Sequence, residues 1–208
     1  VHKADWNTTD MAIQWMEGAI KDDKSFFLYL GINAPHPRFT TSRYYLDMID
    51  VDKIEIPPDD KEVHPVMEYQ RINKNWMHGF NNEAVNKVRS IYYAMIAETD
   101  AMVGSMMEAV DKLGIGDNTY LIFTSDHGEM NMEHQQFYKM NMYEPAARVP
   151  LVVRGPGIVS GAVREELVSL IDIFPTLMDM AETKMPTNSD GVSLMPELRG
   201  EKSERADY

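Results

Sequence analysis

The sequence predicts an α/β domain built on a mostly parallel sheet flanked by helices, and three observations carry that expectation. Short continuous apolar runs at residues 26–30 (FFLYL), 119–124 (TYLIFT) and 150–154 (PLVVR) suit strands buried on both faces. A 3.6-period apolar stripe over residues 83–113 marks a long helix between the first run and the second. The order strand, long connection, helix, strand, loop, strand, helix is that of strands joined by crossovers.

Each element has a local reason. Residues 4–20 read as an amphipathic helix, with Ala12, Trp15, Met16 and Ala19 at helical spacing and Asn7, Thr8, Thr9 and Asp10 as candidate N-caps. Asn7-Thr8-Thr9 is also an N-glycosylation sequon, but the capping reading is preferred because glycosylation requires secretion. The first strand run stops at Gly31 and leads into Asn33-Ala34-Pro35-His36-Pro37, where two prolines stiffen the backbone around His36. Residues 40–82, broken by Pro57, Pro58, Pro65, Asn73, Asn75 and Gly79, read as a long surface excursion with little regular structure. Within it Tyr69, Trp76 and Phe80 are expected to pack down. The long helix carries Val88, Ile91, Tyr92, Met95, Ile96, Thr99, Met102, Val103, Met106, Met107 and Val110, and Gly114 stands where a C′ glycine belongs. Asp100, at the stripe, reads as a solvated or capping carboxylate. The second strand delivers Ser125-Asp126-His127-Gly128, and the third ends at Gly155-Pro156-Gly157. Residues 169–181 read as a helix with Asp172 near its start and Pro175 in its first turn.

Composition bounds the function. The chain has 208 residues, 44% of them hydrophobic and 25% charged, enough for one folded domain rather than a disordered chain. No run reaches the roughly 18 apolar residues of a membrane span. A net charge of −13 and a pI near 4.8 argue against a nucleic-acid backbone as partner. Cysteine is absent, which excludes a disulfide framework, a thiolate metal site and a cysteine nucleophile within these residues. The opening at Val1 and the charged close at 199–208 read as those of a fragment or processed piece.

Ligands of open α/β sheets bind beyond the carboxyl ends of the strands. Two such ends carry His36 and the pair Asp126-His127. A carboxylate beside an imidazole suits a divalent cation; the bland reading is a turn cap beside a surface histidine. Lys139 follows, flanked by Tyr138, Met140, Met142 and Tyr143. It either snorkels from a packed surface or supplies charge to a sulfate or phosphate oxygen. Glu133-His134 is read evenly as a supporting pair or as ordinary polar surface. His64 and His78 read as surface histidines, and His2 carries no weight.

Three segments together resemble the sulfatase family: FFLYLGINAPHP at 26–37, LIFTSDHGE at 121–129 and EHQQFYKMNMYEPAARVPLVVRGPGI at 133–158. VSLIDIFPTLMDMA at 168–181, with Gly191-Val192-Ser193-Leu194, extends the likeness over nearly the whole chain. The resemblance implies an alkaline-phosphatase-like α/β fold and hydrolysis of sulfate esters. It implies a divalent metal, normally calcium, with Asp126 and His127 matching the later pair of its ligands. His127 leaves the metal open, because calcium prefers oxygen. His36 and Lys139 match residues that contact the sulfate or the leaving group. The family attacks sulfur with a formylglycine made from a cysteine or serine, and that nucleophile motif is missing here. Also missing are the early Asp-Asp metal pair and the C-terminal subdomain. Residues 1–208 therefore read as the central part of a sulfatase catalytic domain, with no turnover expected from them alone.

The branch of the family that the E-H-x-x-F-Y-K-M run resembles points to a sulfated sugar, a uronate 2-sulfate of glycosaminoglycans, as substrate. It implies a lysosomal or secreted protein matured by a formylglycine-generating enzyme. Two other readings stand beside it. One is a metal-dependent phosphodiesterase or phosphomutase of the same superfamily, with zinc or manganese on the D-H-G. The other is a truncated, non-catalytic product that binds an anionic sugar or a partner. A net −13 repels sulfated glycans at long range, so such a substrate would rely on local cations such as Lys139 and the metal.

Overall fold

The computed structural model describes residues 2–22, 24–60, 62–186 and 189–202. Val1 and the part of the charged close beyond residue 202 lie outside the described residues. The chain divides into two compact units, Val1–Leu113 with His127–Val149, and Gly114–Asp126 with Pro150–Tyr208.

The first unit is helical. Helix α1 (Lys3–Lys21) begins earlier than the capping cluster predicts, with His2 at its N-cap. Thr8 and Thr9 lie inside it and return their hydroxyls to Ala4 O and Asp5 O, each at 2.9 Å. Hydroxyls that bond one turn back are satisfied without ending a helix, so the expected cap is overturned. Residues 26–30 pair with no strand among the described residues. Phe27 and Tyr29 are 71% and 84% exposed while Phe26, Leu28 and Leu30 are half-buried. The expected two-sided burial is thus one-sided, because no neighbour covers the outer face.

The excursion at 40–82 is more regular than predicted. It holds α2 (Arg43–Leu46), a 3-10 turn at Val51–Lys53 and α3 (Pro65–Asn73). The residues read as breakers are its boundaries. Ser42, Asp50 and His64 accept from backbone N–H groups as caps, and Pro65 takes the first turn of α3, where its missing N–H costs nothing. Asn75, at φ 57, reverses the chain after α3.

Helix α4 (Asn82–Lys112) is capped by Asn81, whose side chain accepts from Ala84 N at 2.9 Å, and is followed by Gly114 at φ +67. Its buried face holds Met95, Met102, Met106 and Val110, and also Arg89, Ser90 and Glu98. Glu98 Oε1 accepts from His2 N and from Trp6 Nε1, each at 3.0 Å, and so bolts α4 to the start of α1. His2 is therefore structural. Asp100 is exposed, as the solvated reading expects. The core around α4 is rich in methionine, with Met16, Met67, Met130 and Met132 adding to it. An unbranched thioether fills irregular gaps that β-branched residues cannot.

The second unit holds the one sheet among the described residues: β1 (Leu121–Thr124) and β2 (Leu151–Arg154). They run antiparallel, Thr124 opposite Leu151 and Leu121 opposite Arg154, where the sequence predicts parallel neighbours. The reason is topological: the chain re-enters at the edge it left, so the end of β1 meets the start of β2. A short α5 (Glu144–Ala147) of the first unit precedes β2; in the second unit helix α6 (Ile173–Met180) follows a 3-10 turn with a Ser169/Asp172 capping box, and α7 (Met195–Arg199) ends at Gly200. Asp172, fully buried, accepts from Ser169 N at 2.8 Å and Val192 N at 2.9 Å, which draws residues 191–194 against α6. Among the described residues no helix is long and apolar enough to cross a membrane.

Gly191 packs against the backbone of the turn before α6, since a Cβ there would stand 2.1 Å from Ile171 O. Gly191→Ala is expected to lower stability by about 1–3 kcal/mol, read as a lower melting temperature of the intact protein. Unchanged melting would contradict the packing described.

Candidate active site

His36 is placed by a buried carboxylate. Asp5, in the first turn of α1, accepts from Asn33 N at 3.1 Å and Ala34 N at 2.9 Å. His36 N closes a turn onto Asn33 O at 2.9 Å. The ring is exposed, and its Nδ1 lies 2.8 Å from Pro37 O. A carbonyl only accepts, so Nδ1 carries the proton and Nε2 the lone pair. Lys139 Nζ donates to that lone pair across 3.0 Å.

Lys139 stands at the end of a tightly folded loop. Its base is a backbone stitch, Gly128 N to Ala146 O at 2.8 Å. Any Cβ on Gly128 would meet Pro145 O at 2.0 Å, which explains a glycine directly after Asp126-His127. Beyond it Asn131, Met132, His134, Gln135 and Tyr138 all have positive φ, between 42° and 71°. Each such residue costs of order 1–3 kcal/mol, so the surroundings must impose the shape. Arg89 of α4, itself buried, donates to Asn131 O at 2.9 Å and Glu133 Oε1 at 2.8 Å through Nη1, and to Tyr93 Oη at 3.0 Å through Nη2. Arg71 reaches His134 O at 2.8 Å, and Phe80 N donates to Gln135 Oε1 at 2.8 Å. Met130 and Met132 anchor the loop in the core.

Glu129 completes this frame from inside. It accepts from Asn131 N at 3.2 Å and Tyr138 N at 2.5 Å. Burial pushes its carboxyl above the usual carboxylate range, against the opposing pull of those two bonds and of the Lys139 and His127 charges. Tyr92 is pushed up to about 12, first by burial and then by the Glu129 and Tyr93 charges. His127 donates from Nδ1 to Gly128 O at 2.9 Å, which puts the ring's lone pair on Nε2, and its ring lies 6.5 Å from that of His36. The structure thus brings His36, Lys139 and His127 together within the first unit.

Asp126 is the exposed residue after Ser125 at the end of β1, in the second unit. Among the described residues no group of three or more His, Cys, Asp or Glu could hold a metal ion. Calcium takes 6–8 oxygen ligands, and one carboxylate with one imidazole nitrogen falls short of that set.

The remaining histidines serve the frame. His134 Nδ1 lies 2.6 Å from Asp60 Oδ1, and its ring stacks on Tyr143 at 4.0 Å and 11°. Glu133 is bound to Arg89, so the pair Glu133-His134 holds the loop. His64 caps α3 and His78 packs on Phe80 at 5.3 Å. Asp5, Arg89 and Glu129 escape sequence reasoning. Their only signals are an acid in a first helical turn, a lone cation beside an apolar stripe and a carboxylate directly after D-H-G.

Tyr92 offers a direct check on this electrostatic picture. Its folded pKa lies above the unfolded value, so the phenol's contribution is intact below pH 10 and is lost as pH rises from 10 towards about 12. Spectrophotometric alkaline titration is expected to show a late tyrosine transition that disappears in Tyr92→Phe. A titration unchanged by that substitution would contradict the burial assigned to it.

Comparison with known proteins bears on the family and the fold. The family model described as Sulfatase matches residues 3–183. Arylsulfatase K of Bos taurus is 43% identical over 212 residues, covering 94% of this chain and 39% of its own length. Arylsulfatase K of Homo sapiens is 42% identical, covering 94% and 40%. The chain therefore spans about two-fifths of the length of the curated relatives it matches. The solved phosphonate monoester hydrolase of Agrobacterium radiobacter superposes with a TM-score of 0.82 at 30% identity, over 94% of this chain and 42% of that one. BT4656, solved in complex with its substrate D-glucosamine-2-N,6-O-disulfate, superposes with a TM-score of 0.76 at 24% identity, over 99% and 54%; at that identity the likeness is one of fold. The fold is the alkaline-phosphatase-like α/β fold, represented here by a helix-rich part with one small antiparallel pair, and the chain belongs to the sulfatase family.

Proposed function

We propose that the intact protein carrying these residues hydrolyses sulfuric esters, and that His36 and Lys139 grip the sulfate. The observation behind this reading is the 3.0 Å contact between Lys139 Nζ and His36 Nε2, formed by residues 103 positions apart. An ammonium donating to a bare imidazole nitrogen is a resting arrangement. If Nε2 takes up a proton, two cations face each other at that distance, and an anion between them removes the repulsion. A sulfate oxygen is such an anion. Lys139 then neutralises charge that grows on the sulfate oxygens, and His36 holds at Nε2 a proton for the leaving ester oxygen. His36 Nδ1, tied to Pro37 O, keeps the ring in the orientation that this transfer needs.

The family's formylglycine supplies the attack on sulfur; with no cysteine in the chain, we place its cysteine-derived form outside these residues. Asp126 and His127 are our candidates for two donors to the family's divalent cation, with calcium the expected ion. For the substrate we favour a sulfated sugar, specifically a uronate 2-sulfate of a glycosaminoglycan. The arylsulfatase K relatives support a sulfate ester as the class. A formylglycine-generating enzyme as partner and a lysosomal or secreted location complete the reading.

The likeness to a phosphonate monoester hydrolase favours a second reading, hydrolysis of a phosphonate or phosphate ester in the same pocket. One assay separates them. The intact protein is expected to turn over a sulfate ester faster than a phosphonate monoester. His36→Ala and Lys139→Ala are each expected to reduce sulfate turnover by about 10²-fold or more. Undiminished turnover in both variants would sink the site assignment, and a preference for the phosphonate would move the protein to the second reading.

A further inference from the structure

The sequon Asn7-Thr8-Thr9 has no capping role in the folded chain. Helix α1 starts at Lys3 with His2 as its N-cap, so Asn7 lies more than a turn inside it. Asparagine is a poor residue for a helix interior, because its amide competes for backbone groups. Here the Asn7 side chain makes no hydrogen bond with another described residue. Its position on the helix is equally informative. Helix α1 buries Asp5, Thr9, Ala12 and Met16. At 3.6 residues per turn these four project to one side, and Asn7 projects roughly 170° away from their mean direction. Lys3, Asp10, Gln14 and Glu17, all exposed, share the side of Asn7. A polar strip of that kind is the solvent face of an amphipathic helix.

One residue interrupts the strip. Met11, four positions after Asn7, is 69% exposed. Helical side chains lean towards the N-terminus, so its thioether chain lies over the turn that carries Asn7. Thr9 shows how a sequon and a helix can share the same residues. Its hydroxyl donates to Asp5 O at 2.9 Å, and the residue is fully buried. The hydroxyl at the third position of the sequon is therefore reachable only while the chain is extended. Once α1 forms, that hydroxyl serves the fold and Asn7 alone stays outside. A bulky group attached at Asn7 leaves the buried face untouched.

We infer that Asn7 carries an N-linked oligosaccharide, attached before α1 folds, whose first N-acetylglucosamine covers Met11. In the transfer Asn7 Nδ2 forms a bond to C1 of the first sugar. The bond from that C1 to the phosphate of a lipid diphosphate-linked oligosaccharide breaks, and the amide proton leaves with the lipid diphosphate. The inference rests on the lysosomal or secreted location proposed above and adds the modified atom and the surface it shields.

The test starts with the intact protein isolated from its own organism. Glycan release by peptide N-glycosidase in heavy-oxygen water is expected to turn Asn7 into an aspartate bearing heavy oxygen, read by peptide mass spectrometry. An Asn7 peptide found unmodified before release would overturn the inference. Peroxide oxidation of the folded protein then tests the shielding. Met11 is expected to form sulfoxide more slowly, by about threefold or more, in the glycosylated protein than in Asn7→Gln. Equal rates would reject the covering of Met11. Enzymatic removal of the glycan from the folded protein supplies the same comparison if Asn7→Gln fails to fold. Sulfate-ester turnover by Asn7→Gln is expected to match that of the unsubstituted protein, since Asn7 lies on the outer face of α1. The same samples separate this inference from the chemistry. A glycan at Asn7 without sulfate turnover supports the site and rejects the sulfatase reading. Turnover with a bare Asn7 does the reverse, and neither glycan nor turnover rejects both.

Discussion

The site depends on one buried cation. Arg89 spends its guanidinium on a carbonyl, a carboxylate and a phenol, and two of those three belong to a loop that could not hold its own shape. Five non-glycine residues at positive φ make the free loop unfavourable, so its geometry is imposed by helix α4. The same helix holds α1 through Glu98, and α1 in turn holds the His36 loop through Asp5. Lys139 and His36 are thus referred to one rigid element, which is how two residues from distant parts of the chain meet at hydrogen-bond distance.

That dependence explains what was legible in the sequence. The long helix is legible because its stripe has a clear period and its ends carry Asn81 and Gly114, each with a local stereochemical reason. The meeting of His36 with Lys139 is foreseen only by the family likeness, while the strand ends point to His36 beside Asp126-His127. The excursion at 40–82 was misjudged because Pro65, Asn75 and Gly79 punctuate helices from just inside and just outside in the same way that they break loops. The capping cluster near Asn7 was misjudged because threonine hydroxyls serve equally well within a helix. Asp5 is invisible because its partners are backbone N–H groups far away in the chain, which leave no mark on residue types, and Arg89 because its two loop partners lie more than forty positions away.

Electrostatics then sharpens the picture. A chain with a net −13 offers an anionic substrate little long-range attraction, and a charged pocket must act at contact distance. The candidate site concentrates that action in Lys139, set against the neutral form of His36. Glu129 sits close enough to influence Lys139 yet is committed to backbone N–H groups, so it steadies the loop without occupying the ammonium.

The loop that ends in Lys139 is closed at three nested levels: Gly128 to Ala146, Met130 to Tyr138, and Met132 to Gln136. Nesting separates what its segments can tolerate. A residue gained or lost at the tip, among 133–135, lies above the Met132–Gln136 closure and need not move what is below it. A change between Tyr138 and Ala146 falls between closures and would shift the ammonium itself. Within related proteins, length variation should therefore accumulate at the tip, and the stem should keep its count.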